Sequence, residues 1–211
     1  MSAGLLSAQG EALQKQVQRH LGRCLMRIQQ FELIAKALAA HADLAGSAPE
    51  LAAIQSKRID KAFTASLGTL VKGEGTAFTN LRTLFSADDQ EADALDENKL
   101  PQDQISFAFR YRRKLSPEAK EEKLRELDTL VALRNRLVHH FMEDFNIFSK
   151  EGCAQALQHL HKSYSEIDRQ TLQLHEQLKG LDSVRKLQAS FMQSPEFWKA
   201  IDGNSDTNSA T

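Results

Sequence analysis

An arginine, an asparagine and a histidine stand close together in the stretch LVALRNRLVHHF, Leu130 to Phe141. Arg134 carries a planar fork of donors that fits a carboxylate or a phosphate. His139 carries an imidazole, whose charge changes near neutral pH. At about 100° per residue, Leu127, Leu130, Val131, Leu137, Val138 and Phe141 fall on one apolar arc of a helix, with Arg134 near its centre. An unpaired guanidinium in such a place costs several kcal/mol, so a partner is required. It is an internal acid, a set of carbonyls, a second subunit or a bound phosphate.

Beside that arc runs a polar line of Asp128, Ala132, Asn135 and His139. Asn135 and His139 are i, i+4 neighbours and can share a hydrogen bond or a ligand. Glu143, one turn past His139, can pair with it, and His140 lies on another face near Arg136 and Asp144. Arg134 and His139 differ by about 140° in α-helical phase, so they do not meet side by side.

The elements that must hold these residues are helical. Apolar residues recur at steps of three and four over residues 10–42, from Leu13 through Val17, Cys24, Ile28 and Phe31 to Leu38. A second helix is expected over 49–72 and a short one over 76–85. Ser116-Pro117-Glu118 supplies a capping hydroxyl, a proline at the first position and an acid near the positive end of the dipole. It opens a helix running to about Phe145. A fourth helix covers about 150–192, with coiled-coil-like packing inside the fold or with a partner. Ser194-Pro195-Glu196 starts a last short one. Between the second and third long helices, residues 86–104 are rich in Asp and Glu and read as a solvated loop. ISFAFRYRR, Ile105 to Arg113, alternates instead, with Phe107, Phe109 and Tyr111 on one side, and reads as an isolated strand or hairpin arm. The expected fold is all-α: an antiparallel bundle of four main helices, a short strand-like insertion and a short C-terminal helix. It forms a single domain over residues 1–202, in which 86–114 is the acidic loop plus extended insertion. Residues 203–211 are expected to be a disordered tail.

Composition narrows the function. The 211 residues are 41% apolar and 26% charged, enough for an ordinary core, and the net charge of −1 excludes a general nucleic-acid coat protein. Any contact with nucleic acid must be local. FRYRRK offers one place, where Arg110, Arg112, Arg113 and Lys114 stand beside aromatic rings that can stack on bases. The bland alternative is an edge strand guarded by charge. Two cysteines make no disulfide framework, and neither a signal peptide nor an apolar run long enough for a membrane is visible, so a soluble cytoplasmic protein is expected. His20, Cys24, Cys153, His159 and His161 do not make four convergent ligands, and no phosphate loop or hydrolase motif occurs. No metal or cofactor is expected.

The sequence RNRLVH, Arg134 to His139, resembles the motif of the HEPN superfamily (higher eukaryotes and prokaryotes nucleotide-binding domain). There an arginine followed by a polar residue precedes a histidine on a late helix of a helical bundle. The resemblance covers residues 10–190 at the level of architecture, and His140 gives a second allowable spacing. It implies a metal-independent endoribonuclease working as a homodimer, with one composite cleft between two motif helices. It implies His139 as the acid or base at an RNA 2′-hydroxyl, Arg134 on the scissile phosphate, and Asn135 orienting one or the other. Asp128, His140 and Glu143 would be supporting residues. The products would be a 2′,3′-cyclic phosphate and a 5′-hydroxyl. Such an enzyme would serve as a toxin or an antiviral effector, with an antitoxin or regulatory protein as a further partner. Some family toxins carry a tyrosine two residues past the histidine, which a partner enzyme modifies. Phe141 stands there in this chain. Other members of the superfamily do not cleave, so the rival expectation is a non-catalytic module that dimerises or binds a partner, with Arg134 in a structural ion pair.

Overall fold

The computed structural model describes residues 8–73, 78–86 and 106–203. Most of the expected acidic loop, and the tail beyond residue 203, lie outside the described residues. The fold is mostly α-helical, and three long helical segments carry it.

The first, α1, spans Ala8–His41. Val17, Cys24, Ile28, Phe31, Ala35 and Leu38 are all buried along one stripe, as their spacing requires. The longest, α6, spans Lys150–Met192, and Ser149 caps it by accepting from the Gly152 amide. Its buried stripe steps by three and four through Cys153, Ala156, Leu160, Ser163, Ile167, Gln170, Leu174, Gln177 and Leu181. Gln9 meets Lys150, His20 meets His161, Arg27 meets Asp168 and His41 meets Arg185. Both sequence numbers rise together, so α1 and α6 run parallel, which corrects the expected antiparallel order of first and last helices. A parallel pair needs a return path, and the third long segment supplies it. This is α4, Pro117–Asn135, capped by the Ser116 hydroxyl on the Ala119 amide. It runs against α6, with Lys123 bonded to Gln170 and Gln173, while Phe145 further along packs on His159.

The second expected helix is two. α2 spans Leu51–Thr64 and α3 spans Leu67–Lys72. Ala65 and Ser66 adopt extended backbone, and the Ser66 hydroxyl restarts the helix by accepting from the Thr69 amide. Where a short helix is expected over 76–85, the described residues 78–85 hold a single 3-10 turn, Leu81–Leu84.

The extended insertion has a partner the sequence did not reveal. Strand β1, Asp43–Ser47, pairs antiparallel with β3, Ser106–Arg110, in the register Asp43↔Arg110 to Ser47↔Ser106. Short β2, Phe85–Ser86, pairs parallel with β4, Arg113–Lys114. DLAGS reads as helix-ending punctuation because it has neither alternation nor β-branched residues. Tyr111, between the two ladders, lays its hydroxyl against Gly180 of α6, where a Cβ would stand 2.6 Å from it.

Asp43 ties these pieces together. Its carboxylate takes both arms of Arg112 at 2.8 and 2.9 Å and the Thr79 hydroxyl at 2.5 Å. Thr79 in turn accepts from Arg58, whose guanidinium also covers the last carbonyls of α1 at Ala39 and Ala40. Replacing Asp43 with Ala is expected to lower the unfolding free energy by about 2 kcal/mol in urea titrations, because the buried Thr79 hydroxyl and the half-buried Arg112 fork lose their shared carboxylate. Gly152→Ala is expected to cost about 3 kcal/mol in the same experiment, since the new Cβ would collide with the Asn146 backbone carbonyl.

Candidate functional site

The helix carrying Arg134 does not run unbroken to Phe145. After Asn135 it widens into a π turn, Arg136–His140, and resumes as the short α5, Phe141–Asp144. A π turn stacks residues five apart instead of four, and such turns concentrate at functional sites. Arg134 and His139 are five apart. The α-helical phase that separates them is thereby removed, and Arg134 Nη1 stands 3.4 Å from His139 Nε2. The same Nη1 donates to Asn135 Oδ1 at 3.2 Å. The structure therefore brings Arg134, Asn135 and His139 into one cluster, with the imidazole accepting at Nε2.

A fourth member comes from α1. Glu32 Oε1 lies 3.8 Å from Arg134 Nε, with side chains 20% and 32% exposed. Sequence reasoning named an internal acid as one possible partner for Arg134, but not which acid or which helix bears it. The signal present is Glu32 at the edge of the buried stripe, next to Phe31. Arg134 is neither sealed nor free: it is half-open and its three partners are all long. Arg112 holds both oxygens of Asp43 within 2.9 Å, and Arg82 holds both of Asp128 within 3.1 Å. Against these forks, among the described residues no carboxylate takes both arms of Arg134.

The other candidates are placed differently. Asp128 joins the body of the fold, bonded to Arg82 and paired with Lys72 at 3.2 Å. Burial opposes its ionisation, but these two cations outweigh that and hold its carboxyl below the usual range. Glu143 pairs with His140, at 2.8 Å, not with His139. Both are exposed, one turn along from the cluster. Arg136 grips Asp144, and this bond holds the Asp144 carboxyl low. Of the four cations in the insertion, Arg112 is committed to Asp43, and Arg110 lies 3.8 Å from the same carboxylate. Arg113 borders a cleft of about 420 Å³ between α4 and α6, while Lys114 is exposed on β4. In that cleft Lys123 already donates to Glu126, Gln170 and Gln173, which uses its three protons.

Three exposed apolar residues stand beside members of the cluster in sequence. Val138 and Met142, one turn apart on either side of His139, are 45% and 56% exposed. Leu33, next to Glu32, is exposed as well. Both thiols are buried and bonded to carbonyls, Cys24 to Leu160 and Cys153 to Ile147, and burial pushes the Cys24 thiol up to about 11. Among the described residues no three His, Cys, Asp or Glu side chains converge as a metal site, and no helix is long and apolar enough to cross a membrane.

Comparison of the chain with protein-family models, with curated proteins and with solved structures found no match. The chemistry of the cluster therefore rests on its own geometry.

Three other histidines shape the pH response. Burial first, and then nearby positive groups, holds His20, His41 and His159 below the ordinary value of 6.5. As pH falls through 6.5 the unfolded chain takes up these protons before the folded one does. The stability they contribute is present above that value and lost below it. Carboxylates held low by partners, such as Glu166 and Asp144, begin to act only in the more acid carboxylate range. The urea midpoint is expected to fall between about pH 7.5 and about pH 5, and His159→Gln is expected to flatten that fall.

Proposed function

We propose that this chain is a HEPN-like, metal-independent endoribonuclease that works as a homodimer in the cytoplasm, as a toxin or an antiviral effector. The observation that carries the reading is the π turn that sets Arg134 against His139. A guanidinium whose described contacts are all long, beside an imidazole whose acceptor nitrogen is engaged only by the 3.4 Å contact to that guanidinium, is a pair suited to a phosphodiester and its neighbouring hydroxyl once the arginine turns to the phosphate. His139 Nε2 takes the proton of the RNA 2′-hydroxyl. That oxygen attacks phosphorus, the bond from phosphorus to the 5′-oxygen breaks, the leaving oxygen takes its proton from water, and a 2′,3′-cyclic phosphate remains. Arg134 replaces its long contacts to Glu32 and Asn135 with the phosphate oxygens and stabilises the charge that builds there. Exposed Val138, Met142 and Leu33 around the cluster favour a seam with a second copy, which would exclude water from the reacting groups.

One observation favours the rival reading, a non-catalytic dimerising module: Glu32 and Arg134 already form an ion pair. The two readings separate in a cleavage assay on single-stranded and hairpin RNA with chelator present. The enzyme reading expects 2′,3′-cyclic phosphate ends from the wild type and at least about a hundredfold slower cleavage by His139→Ala and by Arg134→Ala. Asp128→Asn is expected to cleave at the wild-type rate while melting at a lower temperature. Equal cleavage by all these proteins, or none by the wild type, supports the module instead.

A further inference from the structure

A second pocket lies away from the Arg134 cluster, where the C-terminal end of α1 meets the β1–β3 ladder and the last turns of α6. Its volume is about 240 Å³. Leu44, Phe107, Phe109 and Met192 give it apolar walls, and His41, Gln55 and Arg185 form a polar end. Phe107 is backed by the Phe197 ring, stacked at 6.5 Å between centroids, so the aromatic wall is braced from α7, Pro195–Gly203.

The polar end holds too many donors. Gln55 Nε2 and Arg185 Nη1 both approach His41 Nδ1 at 3.1 Å. An imidazole nitrogen offers one lone pair, so it accepts only one of them well. Burial, and then Arg185 and Arg58, keeps His41 below the ordinary imidazole range, consistent with a neutral ring accepting at Nδ1. Gln55 has a second acceptor in the Ala40 carbonyl at 3.1 Å. Arg185 has none: among the described residues its one hydrogen-bond partner is His41, and Asp182, one turn earlier, is paired with Lys186. No acid is among the residues lining the pocket. A guanidinium at the mouth of an apolar slot, without a carboxylate of its own, calls for an acceptor-rich anion with a flat apolar body.

We propose that this pocket binds a small aromatic carboxylate, the ring lying between Phe109 and Met192 and the carboxylate taking the free arms of Arg185. The size of the slot sets the class, because it holds a single ring with a short acid arm and not a nucleotide.

The test is calorimetric titration of the full chain with sodium phenylacetate, its neutral isostere phenylacetamide, and phenyl phosphate. Phenylacetate is expected to saturate one site per chain with a Kd of about a millimolar or tighter. Arg185→Gln is expected to weaken it about tenfold or more, and phenylacetamide to bind the wild type that much more weakly. Arg185 is exposed, and an unchanged melting curve confirms that the variant folds. A second variant, Ala189→Phe, fills the slot and is expected to remove binding with Arg185 intact. No saturable binding of phenylacetate below about 10 mM overturns the proposal. So does equal affinity in wild type and Arg185→Gln, while preference for phenyl phosphate over phenylacetate overturns the carboxylate assignment.

Discussion

The carboxylate of Asp43 stands where four segments of the chain meet. It closes the first residue pair of the β1–β3 ladder, receives the fork of Arg112 from the stretch between the ladders, and receives Thr79 from the approach to the 3-10 turn. Through Thr79 it orients Arg58, which covers carbonyls at the C-terminal end of α1. Helix ends leave carbonyls without partners. Here one acid organises the groups that satisfy them, and by doing so fixes where the strands lie against the helices. The apolar pocket beside His41 lies next to that junction, lined by the β1–β3 ladder and the last turns of α6.

The long helices were legible because their physics is local and periodic. Buried residues of α1 and α6 recur at the spacing that water exclusion demands, and the Ser116 cap places the start of α4 where capping chemistry puts it. Their relative direction was not legible. The contacts that make α1 and α6 parallel, such as Arg27 with Asp168, join residues far apart in the chain. No periodicity encodes them. Strand β1 was hidden for a related reason: DLAGS becomes a strand only because SFAFR lies beside it, and its own composition favours a turn.

The candidate site was half legible. Residue types pointed to Arg134, Asn135 and His139, but the phase arithmetic of an α-helix kept the arginine and histidine apart. What joins them is a backbone irregularity, and irregularities leave no periodic trace. Glu32 could be anticipated as a class, an internal acid, but neither its helix nor its position. Asp128, which lies on the same polar line by spacing, is drawn instead to Arg82 and Lys72. Spacing along one helix says which residues share a face. It does not say which neighbouring element owns each of them.

The π turn also bears on how such a site arises. A π turn is an α-helix with one residue too many, closed by a wider hydrogen-bonded ring. Leu137 and Phe141 within and after it remain buried, so the core tolerates the extra residue. The wider turn lets two side chains five apart meet as residues four apart do in a regular helix, so straightening the turn without removing a residue would separate them while leaving both in the sequence. Counting residues between an arginine and a histidine is therefore a statement about the turn between them as much as about the pair.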